Sequence, residues 1–323
     1  MMRIAITGAS GLLGGHLIEA FLKQGLSIIA VVRNPDSLLP ASGVEIRVAD
    51  IEDPMSLLEA FKGAEAVIHA AGLVSFNPRH RSRIFGINVQ GTAHVVNACL
   101  QLGITRLVHI SSVAALGRKP GITLNEDSKW VNAPASPYAI SKYRAELEVY
   151  RGAEEGLQVS MVNPSVIISG TSGRSSGTLL NYVWDERPFY TDGILNYVDA
   201  RDVADVVSQL TTAPRHGQRF VLNGGSINYR EFFIQVAQRL NKKAPFMRLP
   251  GSLTWWAGAA EELRSLVLNR EPMVTRQSAA MTRQVYQYDT RRVAEELGFT
   301  FRTLSETLDW ACDAYRRNVT GNK

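Results

Sequence analysis

The segment Thr7-Gly8-Ala9-Ser10-Gly11-Leu12-Leu13-Gly14 constrains this chain more than any other stretch. Its glycines are spaced GxxGxxG, between an apolar strand-like run at Arg3–Thr7 and a helical pattern at Leu12–Lys23. In such a turn Gly8 permits a tight bend. Gly11 lets the backbone approach a pyrophosphate, and Gly14 lets the helix pack closely on the strand. Backbone N–H groups at the helix start, with Ser10, Leu12 and Leu13 around them, then face phosphate oxygens. A glycine triplet alone is a weak sign. At the first strand-to-helix turn of a βαβ pattern it predicts dinucleotide binding.

The rest of the chain supports that context. Apolar β-rich runs follow at Ser27–Val32, Val44–Val48, Ala66–Ala70, Arg106–Ser111 and Gln158–Val162. Helical patterns lie between most of them, at Met55–Phe61, Val89–Leu102 and Pro137–Glu155. Continuous apolar strands separated by amphipathic helices predict an α/β chain with a doubly wound parallel sheet, the Rossmann fold, covered on both faces. After Pro164 the regularity falls, and residues 169–177 read SGTSGRSSG, a loop expected beside the ligand. A helix-strand pair near Asp199–Thr212 and Arg219–Leu222 is expected to return to the sheet. The remainder is mainly helical, at Tyr229–Leu240, Leu253–Leu268, Thr290–Leu297 and Leu304–Tyr315. The expected division is a cofactor core at 1–168, rejoined by 195–225, and a substrate lobe from 169–194 and 226–323.

Composition excludes several alternatives. The net charge of +5 is mild and its basic residues are scattered, unlike a nucleic-acid-binding tract. No apolar run approaches the about 20 residues of a membrane span. The first strand pattern begins at Arg3, leaving no room for a signal peptide, so a soluble cytoplasmic protein is expected. Cys99 and Cys312 lie in apolar helix-like stretches without CxxC spacing, which predicts buried thiols rather than a metal site.

The second strand ends at Arg33, about 20 residues after the glycines, where NAD-specific sites carry an acid for the adenosine ribose. A guanidinium there can pair with a 2′-phosphate and stack on adenine. NADP(H) is therefore expected over NAD(H), which stays possible if Arg33 is only a solvated loop residue. After the third strand, Asp50 and Ile51 are candidates for the adenine contact. Asp50 could instead cap the next helix, although Asp53 before Pro54 suits that better.

Tyr138-Ala139-Ile140-Ser141-Lys142 places a phenol and an ammonium one turn apart on a helix starting near Pro137. A nearby cation favours phenolate, so the tyrosine can act as general acid or base near neutral pH. The same spacing arises by chance on surface helices, and the upstream glycine turn is what gives it weight. The fifth strand ends in Ser111-Ser112, and a hydroxyl there can hold a reacting oxygen. Strand alternation sends the two serines in different directions, and whichever is not catalytic is expected to form a local turn.

These motifs resemble the extended short-chain dehydrogenase/reductase family. They are TGASGLLG at 7–14, HAAG at 69–72, NVQGT at 88–92, HISSVAALG at 109–117, YAISK at 138–142, NPSVIISG at 163–170 and YVDARDVADVV at 197–207. The closest resemblance is to the dihydroflavonol 4-reductase-like branch. The resemblance implies that Ser112, Tyr138 and Lys142 are catalytic, with Ser111 lying against the cofactor. It implies that Ala70, Ala71 and Gly72 line the pyrophosphate and ribose, and that Pro164, Ser165, Val166 and Ile167 pass the nicotinamide. It makes Asn88 either support for a proton-relay water or a structural helix-start residue. It also implies a homodimer through the helices at 89–102 and 137–155, and transfer of the pro-S hydrogen. Two departures stand out. Asn163-Pro164 replaces a frequent Arg-Pro, and Gly193 to Tyr197 lacks the Arg-Asp pair common in nucleotide-sugar epimerases.

A small carbonyl or alcohol substrate is expected, with walls from Leu73–His80, from Ser169–Tyr190 and from the C-terminal lobe. Phe76, Tyr182, Trp184 and Phe189 are candidate contacts, although such aromatics are as often core residues. Trp255-Trp256 opens an apolar helix suited to core or dimer packing, or to a membrane surface. The competing functions are an epimerase or dehydratase using its cofactor transiently, and a cofactor-sensing protein. Val113-Ala114 lack a dehydratase's acids, and an intact Ser/Tyr/Lys set disfavours a sensor.

Overall fold

The computed structural model describes residues 2–38, 40–75, 77–117, 121–131, 135–171, 176–249 and 286–320. The cofactor-side elements are β1 (Arg3–Thr7), α1 (Gly14–Lys23), β2 (Ser27–Val32), β3 (Val44–Val48), α2 (Pro54–Phe61) and β4 (Ala66–His69). Next come α3 (Arg81–Phe85), α4 (Gly91–Gln101), β5 (Arg106–Ile110), β6 (Thr123–Leu124), α5 (Pro137–Glu154) and β7 (Gln158–Pro164). The remainder comprises β8 (Val166–Ile168), α6 (Ser176–Trp184), β9 (Phe189–Tyr190), β10 (Ile194–Asp199), α7 (Ala200–Thr212), β11 (Gln218–Leu222) and β12 (Gly225–Asn228). It ends with α8 (Tyr229–Leu240), β13 (Met247–Arg248), β14 (Gln287–Tyr288), α9 (Arg291–Leu297) and α10 (Leu304–Thr320).

Seven strands form one parallel sheet in the order β11-β7-β5-β4-β1-β2-β3. Chain order reverses between β1 and β4, so the loops leaving those two strands part and open a crevice. One face of the sheet packs on Leu17 and Phe21 of α1 and on Val203 and Val207 of α7. The other packs on Leu57 of α2, Val95 of α4 and Val149 of α5. Burial on both faces is why the strands read as unbroken apolar runs. Each fully buried large aliphatic side chain contributes about 1.5–3 kcal/mol.

Several boundaries differ from the sequence expectation for local reasons. α1 starts at Gly14, not Leu12, because the Gly11 amide donates to the Gly8 carbonyl at 2.8 Å and keeps Leu12 and Leu13 in the turn. A wider π-helical turn, Gly86–Gln90, precedes α4. Asp53, with Pro54 behind it, caps α2 through the Met55 amide.

In the stretch 195–225, α7 and β11 lie on the main sheet, while β10 pairs with β8 and β12 in a separate three-stranded sheet. Strand pairs β9–β13 and β6–β14 add to the lobe region, which is therefore less helical than its sequence pattern suggests. Two-residue strands carry too little periodicity to be read from sequence. The lobe core joins Leu180 and Val183 of α6, Phe232 and Val236 of α8, and Leu308 and Tyr315 of α10. No helix among the described residues is long and apolar enough to cross a membrane. Phe76, residues 172–175 of the glycine- and serine-rich stretch, and the segment 253–268 expected to be helical, with Trp255 and Trp256, lie outside the described residues.

Candidate active site

The glycine turn sits at the crevice. Gly8 has φ +72°, and a Cβ there would come within 2.7 Å of the Ala71 amide nitrogen and 2.9 Å of the Ala70 carbonyl carbon. A Cβ on Gly14 would lie 2.0 Å from the Ala9 carbonyl oxygen. Both positions therefore require glycine. Leu13 stands at the N-cap of α1, and no side chain caps that helix. The first turn thus keeps amide donors that an anion can take. Ser10, Gly11 and Leu12 are half-buried along this turn, while Leu13 is buried. The backbone cradle and the uncapped helix start fit a dinucleotide pyrophosphate.

The adenosine-side candidates are spread over two further loops. Arg33 is exposed at the end of β2, and no polar partner holds it among the described residues. Asp50 follows β3 and accepts the Glu52 amide at 3.0 Å, while Ile51 is buried behind it. One carboxylate oxygen of Asp50 is thus tied to its own loop. Ala70 and Ala71 are half-buried beside Gly8, and Gly72 is exposed.

The catalytic candidates come from α5 and the exit of β5. Ser136 caps α5 by accepting the Ala139 amide at 2.9 Å, and Pro137 follows it. Tyr138 is half-buried in the first turn and Lys142 is buried one turn later. The Lys142 ammonium donates to the Ile110 carbonyl at 2.8 Å, leaving two further protons for other acceptors. Burial pushes its pKa down to about 8, opposed by the nearby Glu146 carboxylate. Two buried imidazoles, His69 and His109, neighbour each other on β4 and β5 with ring centroids 5.2 Å apart. His69 is held between Thr7 Oγ1 at 2.8 Å and Thr92 Oγ1 at 2.9 Å, and burial lowers its pKa to about 3. Burial and Lys142 also keep His109 neutral, so neither ring adds a competing cation.

The two serines have different surroundings. Ser111 is buried, and its hydroxyl donates to Glu146 Oε1 at 2.5 Å. Ser112 Oγ accepts the Ala114 amide at 3.2 Å and starts the 3-10 turn Val113–Leu116, which packs on α5. The local turn, expected of whichever serine is not catalytic, belongs instead to Ser112, the family-aligned candidate, because the Ser111 hydroxyl is taken by Glu146. An oxygen that accepts one bond still has its own hydrogen to donate.

Asn88, in the π-helical turn, accepts the Leu73 amide at 2.7 Å and donates to the Leu73 carbonyl and Ser141 Oγ, both at 3.0 Å. Its side chain thus ties the β4 loop to α5. Beyond β7, Ser165 is buried and its hydroxyl has no partner among the described residues. Pro164 is buried, and Val166 and Ile167 are half-buried at the start of β8. An orphaned hydroxyl beside this strand exit suits an amide-bearing ligand.

The substrate candidates are less gathered. The Tyr182 hydroxyl donates to the Phe189 carbonyl at 2.8 Å, and its ring stacks on Phe233. Trp184 meets Tyr315 edge-on and has Lys242 over its face. These two rings pack against the lobe core, while Phe189 is exposed on β9. Sequence reasoning missed Glu146, which faces Ser111, Asn163 and Arg219. Its spacing, four residues after Lys142 and eight after Tyr138, was the available signal.

The chain is similar in sequence and fold to several known proteins. A Synechocystis protein named "Putative dihydroflavonol 4-reductase" is 29% identical over 318 residues, covering 94% of this chain and 91% of its own. A cinnamoyl-CoA reductase 1 from Oryza sativa is 28% identical, covering 75% of this chain and 77% of its own. The crystal structure of gox2253 superposes with a TM-score of 0.84 at 26% identity, covering 98% of this chain and 99% of that one. The profile of the NAD dependent epimerase/dehydratase family matches residues 4–223. The chain therefore belongs to the NAD dependent epimerase/dehydratase family, the extended short-chain dehydrogenases, and is an NAD(P)-dependent enzyme.

Proposed function

We propose that this protein is an NADP(H)-dependent oxidoreductase that reduces a ketone or aldehyde, or oxidises the matching secondary alcohol. The observation that carries this reading is α5. It presents half-buried Tyr138 and buried Lys142 one turn apart, against the turn that Ser112 begins. The reductases named among its relatives support the same reaction class.

The dinucleotide, when bound, supplies or accepts the hydride. Gly8, Gly11, Gly14 and the start of α1 would hold its pyrophosphate, with Ala70 to Gly72 opposite. Arg33 would pair with a 2′-phosphate, Asp50 and Ile51 would face adenine, and Pro164 to Ile167 would flank the nicotinamide. Tyr138 donates a proton to the carbonyl oxygen during reduction and accepts it during oxidation. Ser112 holds that oxygen with its hydroxyl hydrogen. The Lys142 ammonium favours the phenolate form of Tyr138 and has donors left for ribose hydroxyls. General acid catalysis of this kind contributes roughly 10²–10⁴-fold. The proposal includes a homodimer through the outer faces of α4 and α5, where Leu147 is 47% exposed. It also includes a cytoplasmic location, which suits two buried unpaired thiols.

A panel of aldehydes, ketones and alcohols, followed by NADPH absorbance, tests the reading with Tyr138→Phe as control. The variant is expected to bind NADPH normally and lose at least 100-fold in kcat. Unchanged turnover would refute the mechanism. An epimerase would instead interconvert isomers with no net change in NADPH.

A further inference from the structure

A buried carboxylate stands behind the catalytic candidates. Glu146 is 1% exposed on α5. Its Oε1 accepts Ser111 Oγ at 2.5 Å and Asn163 Nδ2 at 2.6 Å. Its Oε2 faces Arg219 Nη1 at 3.2 Å. The Asn163 amide nitrogen also donates to the Ser112 carbonyl at 3.0 Å. A carboxylate is costly to bury unless its lone pairs are met, and a position that needed only packing would carry an apolar side chain.

Each partner adjoins a working part of the site. Ser111 precedes Ser112, and Asn163 precedes the segment Pro164 to Ile167. Glu146 shares one helix with Tyr138 and Lys142. Arg219 lies on β11, beside β7, and its guanidinium also donates to the Glu126 and Ser128 carbonyls at 2.6 and 2.8 Å. The family resemblance places a frequent arginine at position 163, where this chain has asparagine. Here the cation beside the carboxylate comes from the neighbouring strand.

We propose that Glu146 is a positioning residue that sets Ser112 against Tyr138, by clamping the Ser111 hydroxyl and, through Asn163, the Ser112 carbonyl. The proposal rests on the reading that Ser112, Tyr138 and Lys142 carry the chemistry. One carboxylate thereby joins α5, the exit of β5 and the end of β7. Packing alone would hold these elements together to within the slack of their side chains. Hydrogen bonds of fixed direction hold them at the tolerance that proton transfer requires.

The test is a double-mutant cycle of Glu146→Gln and Ser111→Ala, measured on the fastest-reduced compound of the carbonyl panel. Glu146→Gln is expected to lower kcat at least 10-fold while the NADPH Kd and substrate KM stay within about threefold. Ser111→Ala is expected to lose several-fold, and the double variant no more than Glu146→Gln alone, because residues acting as one unit are non-additive. Wild-type kcat in Glu146→Gln, or fully additive losses, would overturn the proposal. If a thermal melt shows Glu146→Gln unfolded, the cycle of Ser111→Ala with Asn163→Ala carries the same two outcomes. Tyr138→Phe is measured alongside. A dead Tyr138→Phe with an unimpaired Glu146→Gln removes only the clamp, whereas a fully active Tyr138→Phe removes the underlying reading as well.

Discussion

Gly8 and Ala71 meet across the gap between β1 and β4 so closely that a methyl group on Gly8 would lie 2.7 Å from the Ala71 amide nitrogen. The contact is backbone against backbone, so no side-chain rotation can relieve it. Gly8 also has φ +72°, where a Cβ is disfavoured.

Gly8→Ala is therefore expected to destabilise the fold by about 1–3 kcal/mol. It should also weaken NADPH binding at least 10-fold, because the crevice must part at the pyrophosphate. Thermal unfolding and a fluorescence titration with NADPH check both effects. Normal affinity in the variant would place the cofactor elsewhere.

Arg33 decides the cofactor in the proposed function. A charge-assisted hydrogen bond is worth about 1.5–3 kcal/mol, roughly 10–100-fold in affinity. Arg33→Asp is expected to lose that much affinity for NADPH while NADH binding holds or improves. Paired Kd values for the two nucleotides measure it. Unaltered NADPH affinity would make Arg33 an ordinary surface residue.

Lys142 gives the site a pH dependence of defined sign. Burial lowers its pKa to about 8, whereas an unfolded lysine keeps its proton to about 10.4. Between those values the folded chain binds fewer protons than the unfolded one, so this group's contribution makes stability rise with pH. Below pH 8 both states are protonated and the cost of burying the ammonium is fully present. Catalysis runs the other way. In reduction, kcat/KM is expected to fall as pH rises through about 8, because the proposed mechanism loses the cation one helical turn from Tyr138. Lys142→Arg should move that limb to higher pH, since guanidinium does not titrate there. Melting temperatures and pH–rate profiles over pH 6.5–10 check the two signs, the range being about that of the two pKa values.

Much of the fold was legible because its cause is periodic. Unbroken apolar strands such as Ile28 to Val32 report burial on both faces, and Leu17 and Phe21 report the buried stripe of α1. A cap was legible where a short polar side chain precedes proline, as at Asp53, whereas the Ser136 cap of α5 was seen only in the structure. The three-stranded sheet of β12, β10 and β8 was not legible, because β8 is three residues long and its partners are remote in sequence. Nor could sequence foretell that Tyr182 and Trp184 would turn toward the lobe core, since an aromatic on a helix gives no sign of which neighbour it meets.

The sequence by itself determined the local chemistry. The glycine turn needs residues without a Cβ, and one helix must carry Tyr138 and Lys142 a turn apart, because turn conformation and helical pitch are short-range properties. Only the tertiary structure decided how Ser111 and Ser112 divide their work. Glu146 from α5 takes one hydroxyl, and Asn163 from β7 holds the carbonyl of the other residue. Those partners lie 35 and 51 residues away along the chain. A hydrogen bond over such a separation exists only once the sheet has brought its strands together, so no local pattern encodes it.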